Sequence, residues 1–341
     1  MKRPARTLRL AALLLSVFLP PAPIVAQEPG QPPQAPTQQA PQQTEPGFRV
    51  QARVERVNVD VTVADARGQS VSGLKRGQFR VLDNGVEQPV VDFTPIDAPV
   101  RALLIVEMSP AVYLLGDEHQ IAALRMLEGL NAGDYVAFAT YSDSLRPVLG
   151  FTQDKAVVAQ ALRQLQFGLG FAQLNLFGSL SSAIQDILVT PPPDPNRGGK
   201  TAIVLLSTGL SDVQTQAVRQ QLGGELEVSG IAVYTIALGG DLRSPRGTTA
   251  GAQAAAQAFA QADSDLRIIA ESSGGLAFFP KTGKDLAGAY AEVAQTLRHL
   301  YSLAIVPPAH DGKVHTLKVE ITDGKKDWRI LARPAYLAPA Q

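Results

Sequence analysis

The sequence predicts an α/β protein in which a doubly wound, mostly parallel sheet is inserted in a small discontinuous β-sandwich. Residues 100–301 alternate short apolar strands with longer helical stretches, a pattern typical of a parallel sheet covered on both faces. Residues 48–97 and 302–337 read instead as short strands separated by turns. Because an isolated hairpin is marginal in water, we expect these two flanking stretches to pair with each other.

The first 26 residues have the pattern of a secretory signal peptide. Four basic residues between Lys2 and Arg9 precede an apolar run, Leu10–Leu19, and small residues then lead to a predicted cleavage after Ala26. The run of ten residues is too short to span a bilayer, which needs about 20. We therefore expect an exported protein, periplasmic or secreted, with no transmembrane segment in the mature chain.

Residues 27–47 are predicted to form a disordered linker. They are rich in Pro, Gln, Glu and Thr and hold almost no apolar side chains. Such a segment cannot offset its loss of conformational entropy by burying apolar surface.

Composition excludes several classes of function. Four of the 31 basic residues and none of the 31 acidic residues lie in residues 1–26, so the rest of the chain carries a net charge of about −4. This charge predicts no nucleic-acid partner. The absence of cysteine excludes disulfides, thiolate metal sites and cysteine nucleophiles.

Residues 48–98 predict the first part of the β-sandwich. Four valines at alternate positions from Val57 to Val63 have the period of two that a half-buried strand requires. A turn at Asp83–Gly85 predicts a hairpin that leads from a strand around Phe79 into a second strand, Val86–Phe93.

The α/β domain is predicted to span residues 99–301, and the second part of the sandwich is predicted to span residues 302–337. The predicted α/β strands are Ala102–Val106, Tyr135–Tyr141, Ala202–Leu206, Ile231–Leu238 and Leu276–Phe279. The predicted helices are Glu118–Leu130, Lys155–Leu165, Leu180–Leu188, Val213–Leu226, Ala250–Glu271 and Lys284–Leu300. The last predicted strands are Tyr301–Val306, Thr316–Thr322 and Trp328–Ala332.

Several segments of the α/β region resemble a known family. Leu103–Pro110 ends an apolar strand with an acidic residue, and Thr201–Gly209 ends another with Ser-Thr-Gly. With Gly133–Ala137, Phe151–Asp154 and Ile269–Gly275, these segments resemble a von Willebrand factor A (VWA) domain over roughly 200 of the 341 residues. The flanking β segments resemble those of exported bacterial members, and the resemblance implies a Rossmann-like fold.

The resemblance also implies where a functional site lies. Members of the family often hold Mg²⁺ at the carboxyl end of the sheet, through an Asp-x-Ser-x-Ser loop, a threonine and a second aspartate. In this sequence the matching positions are Glu107, Ser109, Ala111, Gly178 or Ser179, and Thr208. At most one carboxylate and two hydroxyls remain, whereas Mg²⁺ requires six oxygens in a near-octahedral array. We expect a degenerate adhesion site that forms a binding face with no metal and no other cofactor.

Each of these residues also has a simpler interpretation, which the sequence leaves open. Glu107 could end its strand by accepting hydrogen bonds from nearby backbone amides. Ser109 and Ser179 could cap the helices that follow them. Thr208 could belong to a plain turn from strand to loop.

The sequence favours a protein-binding role over catalysis. No nucleophile with a matching base and no phosphate-binding loop is found, and the glycine pair before Lys200 precedes a strand instead of a helix. His310 and His315 are expected to be surface residues. The predicted function is therefore an interaction module at the cell envelope whose partner is a protein. The alternatives are a Mg²⁺-dependent adhesion domain and an envelope hydrolase.

Overall fold

The computed structural model describes most of the chain after the predicted linker. The described residues are 56–65, 70–96, 99–113, 118–165, 173–190, 200–240, 243, 249–298, 300–322 and 327–340. The predicted signal peptide and linker lie outside the described residues. Within the described part of the chain, no helix has the length and apolar character needed to cross a membrane.

The described strands and helices alternate as predicted in the middle of the chain. The strands are β1 (Val57–Ala64), β2 (Phe79–Asp83), β3 (Val86–Gln88), β4 (Asp92–Ile96), β5 (Arg101–Glu107), β6 (Tyr135–Tyr141), β7 (Leu145–Thr152), β8 (Thr201–Ser207), β9 (Ala232–Ala237), β10 (Ala277–Phe278), β11 (Leu300–Ile305), β12 (Val314–Ile321), β13 (Arg329–Ala332) and β14 (Ala335–Leu337). The helices are α1 (Pro110–Tyr113), α2 (Glu118–Gly129), α3 (Lys155–Arg163), α4 (Leu176–Val189), α5 (Gln216–Ser229), α6 (Ala250–Ser273) and α7 (Gly283–Arg298).

The central sheet has six strands in the order β10-β9-β8-β5-β6-β7. Every pairing is parallel except that of β7, the antiparallel edge strand. All seven residues of β5 are buried, because helices cover both faces of the sheet. Apolar residues of α2, α3 and α7 pack on one face, and those of α4, α5 and α6 pack on the other. The predicted doubly wound α/β fold is confirmed.

The strands that flank this sheet form two antiparallel sheets, ordered β13-β1-β11-β4 and β14-β12-β2-β3. Each sheet combines strands from before and after the α/β region, as predicted. Val59, Val61 and Val63 of β1 are completely buried. They share one apolar core with residues of the second sheet such as Val81 and Val319, so the two sheets pack against each other.

The prediction of a single strand over Val86–Phe93 is wrong, because the structure divides this stretch into β3 and β4. The hairpin turn itself is present: Asn84 and Gly85 have φ of 47° and 82°, the left-handed pair that a two-residue hairpin requires. Strand β3 then pairs with β2, whereas β4 pairs with β11 in the other sheet. Pro89 lies between them, and a proline has no backbone N–H to donate to a sheet.

Strand β7 and helix α4 also differ from the prediction. Strand β7 was not predicted; it is an edge strand that contains Pro147 and Gly150 and is largely exposed, so it lacks a regular apolar pattern. Helix α4 begins at Leu176 and not at Leu180, because the Asn175 side chain accepts a hydrogen bond from the amide of Gly178 and caps the helix there.

Candidate functional site

The candidate site lies at the carboxyl end of the central parallel sheet. Glu107 is the last residue of β5, and Thr208 follows the neighbouring strand β8. Ser109 directly precedes α1 and Ala111 lies within it, whereas Gly178 and Ser179 lie in the first turn of α4. The carboxyl ends of parallel strands are where ligands gather in open α/β sheets.

Glu107 is completely buried, and its carboxylate is held by a convergent set of donors. Its Oε2 accepts hydrogen bonds from the Thr208 amide at 2.7 Å, from Tyr141 Oη at 2.9 Å and from Ser207 Oγ at 3.0 Å. The Thr208 hydroxyl lies 2.9 Å from Oε1 and 3.0 Å from Oε2. The structure therefore supports the interpretation of Glu107 as a hydrogen-bonded strand end, with three hydroxyls added to the backbone amide.

The hydroxyls around Glu107 also contact one another. Tyr141 Oη lies 2.6 Å from Ser207 Oγ, which also accepts a hydrogen bond from the Gly209 amide at 2.8 Å. The pKa of Tyr141 is raised well above its ordinary value, mainly by burial and to a smaller extent by the negative charge of Glu107. Tyr141 therefore stays protonated and acts as a donor. Neither Tyr141 nor Ser207 was predicted to belong to the site.

Ser109 and Ser179 do not join this network. Both are buried, and neither hydroxyl oxygen has a hydrogen-bond partner among the described residues. The interpretation of the two serines as helix caps is therefore wrong: the cap of α4 is Asn175, and the Ser109 hydroxyl makes no capping bond. The two hydroxyls are unexplained buried polar atoms at two of the predicted site positions.

The donor set does not fit a divalent cation. Glu107 is the one carboxylate at the predicted positions, and its Oε2 already accepts from three residues. A cation would have to displace these donors, and two neutral serine hydroxyls would not replace the missing charge. In the described part of the chain, no group of three His, Asp or Glu side chains is placed to hold a metal ion.

A buried cation that the sequence did not reveal lies next to the cluster. Arg243 donates from Nη2 to the Thr208 carbonyl at 2.7 Å and from Nε to the Leu238 carbonyl at 3.2 Å. It forms an ion pair with Asp263 of α6, and its guanidinium lies 5.2 Å from the centre of the Phe259 ring. Burial lowers the pKa of Arg243 to about 10, although the charge of Glu107 acts in the opposite direction. Arg243 thus holds the Thr208 carbonyl, whereas Glu107 holds the Thr208 amide.

The loops at this end of the sheet are tied together by further hydrogen bonds. The Leu174 amide donates to Asp212 Oδ2 at 2.7 Å, and the Asp212 amide donates back to the Leu174 carbonyl at 2.7 Å. The Asn175 amide donates to the Ser142 carbonyl at 2.7 Å. The loops that follow β6 and β8 are therefore both fastened to the segment before α4.

The side chains of the predicted binding face lie beneath the surface. Glu107, Ser109, Ser179 and Thr208 are each at most 3% exposed. The exposed polar residues at this end belong to the loops that cover the site and to the start of β7. We call this surface the upper rim; in the described residues it comprises Asp143, Ser144, Arg146, Gln173 and Asp212.

The prediction that His315 is a surface residue is wrong. His315 is 5% exposed, and its Nδ1 lies 2.8 Å from Oδ1 of the buried Asp83. Tyr336 donates to the other oxygen of Asp83 at 2.5 Å, and Asp311 lies 3.3 Å from His315 Nε2. The turn beside His315 suggested exposure, but β12 places the side chain in the sandwich core.

Several solved structures are similar to part of this chain. No protein-family model and no curated protein matches the sequence. Similar solved structures include the von Willebrand factor domain of the type V pili tip protein Mfa5 from Porphyromonas gingivalis, with 15% identity over 59% of this chain and 96% of that one and a TM-score of 0.44. A von Willebrand factor type A protein from Catenulispora acidiphila shares 12% identity over 85% of this chain and 75% of that one, with a TM-score of 0.45. An aerotolerance-related membrane protein from Bacteroides fragilis shares 14% identity over 58% of this chain and 98% of that one, with a TM-score of 0.41.

Nothing about activity or partners follows from these similarities. The strand order and the helices on both faces are properties of the chain itself. The protein has a mostly parallel six-stranded sheet flanked by two antiparallel four-stranded sheets.

Proposed function

We propose that the chain is an exported protein-binding module of the cell envelope, with a degenerate adhesion site and a binding face that works without a metal. The observation that carries this proposal is the Glu107 carboxylate, which is fully hydrogen-bonded in the place where the resemblance implies a metal ligand. The signal-peptide pattern of residues 1–26 supports export.

In this proposal the buried residues of the degenerate site hold the loops of the upper rim in place. Glu107 and Arg243 hold Thr208 from two sides, which fixes the loop that follows β8. That loop holds Leu174 through Asp212, and the segment before α4 holds the loop after β6 through Ser142. A rim that is already ordered loses less conformational entropy on binding than a mobile one, which favours affinity.

A Mg²⁺-dependent adhesion domain is the competing function, and one observation favours it. The buried hydroxyls of Ser109 and Ser179 have no hydrogen-bond partner among the described residues, and hydroxyl oxygens are ligands that Mg²⁺ accepts. That function would require Glu107 to exchange its hydrogen-bond donors for a cation.

We expect a partner to bind equally well with a chelator and with millimolar magnesium. A protein recovered by crosslinking in the native host would be purified and its Kd for the mature chain measured by calorimetry under both conditions. Asp143→Ala combined with Arg146→Ala removes an exposed ion pair of the upper rim and should weaken binding by about tenfold.

The matched control is Arg125→Ala combined with Glu128→Ala. This pair on α2 is also exposed and has the same spacing of three residues, but it lies away from the upper rim. Its loss should leave Kd unchanged. Binding that disappears in chelator would establish the competing function, and equal Kd values for the two double variants would contradict the proposed face.

A further inference from the structure

A cleft of about 730 Å³ lies at the opposite end of the central sheet from Glu107. The amino ends of β8 and β9, at Lys200 and Ala232, form one side of it. Strand β1 and the segment from Arg333 to Tyr336 form the other side. The volume falls within the range of about 300–1,000 Å³ that is usual for small-molecule sites.

The lining of this cleft is positively charged. Lys200, Arg333 and Arg56 contribute three cations, whereas Asp60 is the single carboxylate among the lining residues. Arg56 is half exposed and has a weak contact of 3.4 Å with Asp92. The other two cations lie deeper.

Lys200 is a buried cation without an acidic partner in the described part of the chain. The residue is 4% exposed, and its Nζ donates one hydrogen bond, to Tyr234 Oη at 3.1 Å. An ammonium group carries three donors, and the other two have no acceptor among the described residues. Burying an unpaired charge costs free energy, and a bound anion would offset that cost.

Arg333 is the second deep cation of the lining. Its Nη2 donates to the Asn58 carbonyl at 2.6 Å, whereas its buried Nε has no partner among the described residues. Burial lowers the pKa of Arg333, and the nearby Asp60 acts in the opposite direction. Gly230 lies beside the guanidinium, since a Cβ at that position would lie 3.4 Å from Arg333 Nη1.

We propose that this cleft binds a small organic anion whose phosphate or carboxylate group is received by Lys200 and Arg333, with Arg56 at the exposed mouth. A planar guanidinium held by one carbonyl and an ammonium with free donors form charge-assisted hydrogen bonds with either group. The site is independent of the upper rim, and its ligand would contact the α/β domain and the sandwich together.

The test measures the binding of two simple probes, inorganic phosphate and malonate, against chloride at equal ionic strength. We expect at least one probe to raise the melting temperature where chloride does not, because a ligand that binds only the folded state stabilises it. The probe that binds more tightly by calorimetry identifies the phosphate or the carboxylate as the preferred group.

Variants of the lining then locate the site. Lys200→Met and Arg333→Gln should each weaken probe binding by about tenfold or more, and Arg56→Gln by about threefold. Asp60→Asn should tighten binding, because it removes the one negative charge of the lining. Lys318→Met is the control, because Lys318 is a highly exposed lysine paired with Glu320 on β12 and should change nothing.

Two results would overturn the proposal. The first is that neither probe stabilises the wild-type protein more than chloride does. The second is that Arg56→Gln and Asp60→Asn bind the probes as tightly as the wild type does. These two milder variants decide whether the cleft binds the probes if Lys200→Met or Arg333→Gln does not fold. Loss of partner binding at the upper rim would bear on neither result, because the two sites lie at opposite ends of the sheet.

Discussion

Replacing Glu107 with alanine should lower the free energy of unfolding by about 3–5 kcal/mol. The variant leaves the Thr208 amide and the hydroxyls of Thr208, Ser207 and Tyr141 without their common acceptor in a fully buried place. Each unpaired buried donor costs about 1–3 kcal/mol, although the hydroxyls can partly satisfy one another. Urea unfolding in the presence of chelator measures the effect without any contribution from a metal.

The control for this prediction is Glu128→Ala. Glu128 is an exposed glutamate on α2 that pairs with Arg125, so its loss should change the free energy of unfolding by no more than about 0.5 kcal/mol. A Glu107→Ala variant as stable in chelator as the control would mean that the carboxylate is not a structural acceptor. Glu107 would then be available to a ligand.

Replacing Gly275 with alanine should lower the free energy of unfolding by about 3 kcal/mol or more. Gly275 joins α6 to β10, and a Cβ there would lie 2.1 Å from the Val233 carbonyl oxygen of β9. Backbone on both sides must move to make room, because no flexible side chain is involved. The same unfolding experiment measures the loss.

Gly224→Ala is the matched glycine substitution, and it should raise the free energy of unfolding instead of lowering it. Gly224 lies inside helix α5, and a Cβ there meets nothing within 4 Å. Alanine should stabilise the helix by up to about 1 kcal/mol, because glycine loses more backbone entropy on folding. Similar losses from both substitutions would contradict the close approach of Gly275 to β9.

The sequence predicted the central α/β elements well because their signals are local. Each buried parallel strand is a short apolar run, and β6 was predicted at its observed ends, Tyr135–Tyr141. The pairing of the flanking strands followed from a physical argument, namely that short isolated hairpins do not persist in water. Both antiparallel sheets contain the strands that this argument joined.

What the sequence did not predict depends on tertiary contacts. The change of sheet between β3 and β4 occurs at Pro89, which has no backbone N–H to continue the pairing, although Val86–Phe93 was predicted as one strand. Strand β7 is held at the edge by pairing with β6, although its own residues have no clear alternation. His315 is buried by its contact with Asp83, a residue 232 positions earlier in the chain.

The residues of the candidate site were likewise predicted only in part from the sequence. The resemblance to a known motif supplied Glu107 and Thr208, and these two residues are in direct contact. Tyr141 and Ser207 belong to the network only because β6 and β8 both neighbour β5 in the sheet. Arg243 lies in a glycine-rich run with no periodicity, so nothing in the sequence marks it as the residue that holds Thr208.

The most direct test of the proposal that the site works without a metal is the melting temperature of the wild-type protein in chelator and in millimolar magnesium. If the donors around Glu107 already satisfy its carboxylate, the two melting temperatures should agree within about 1 °C, because an ion that does not bind the folded state cannot stabilise it. A clear rise in magnesium that is lost in Ser109→Ala would contradict this, and would show that the buried hydroxyls and Glu107 together hold a cation.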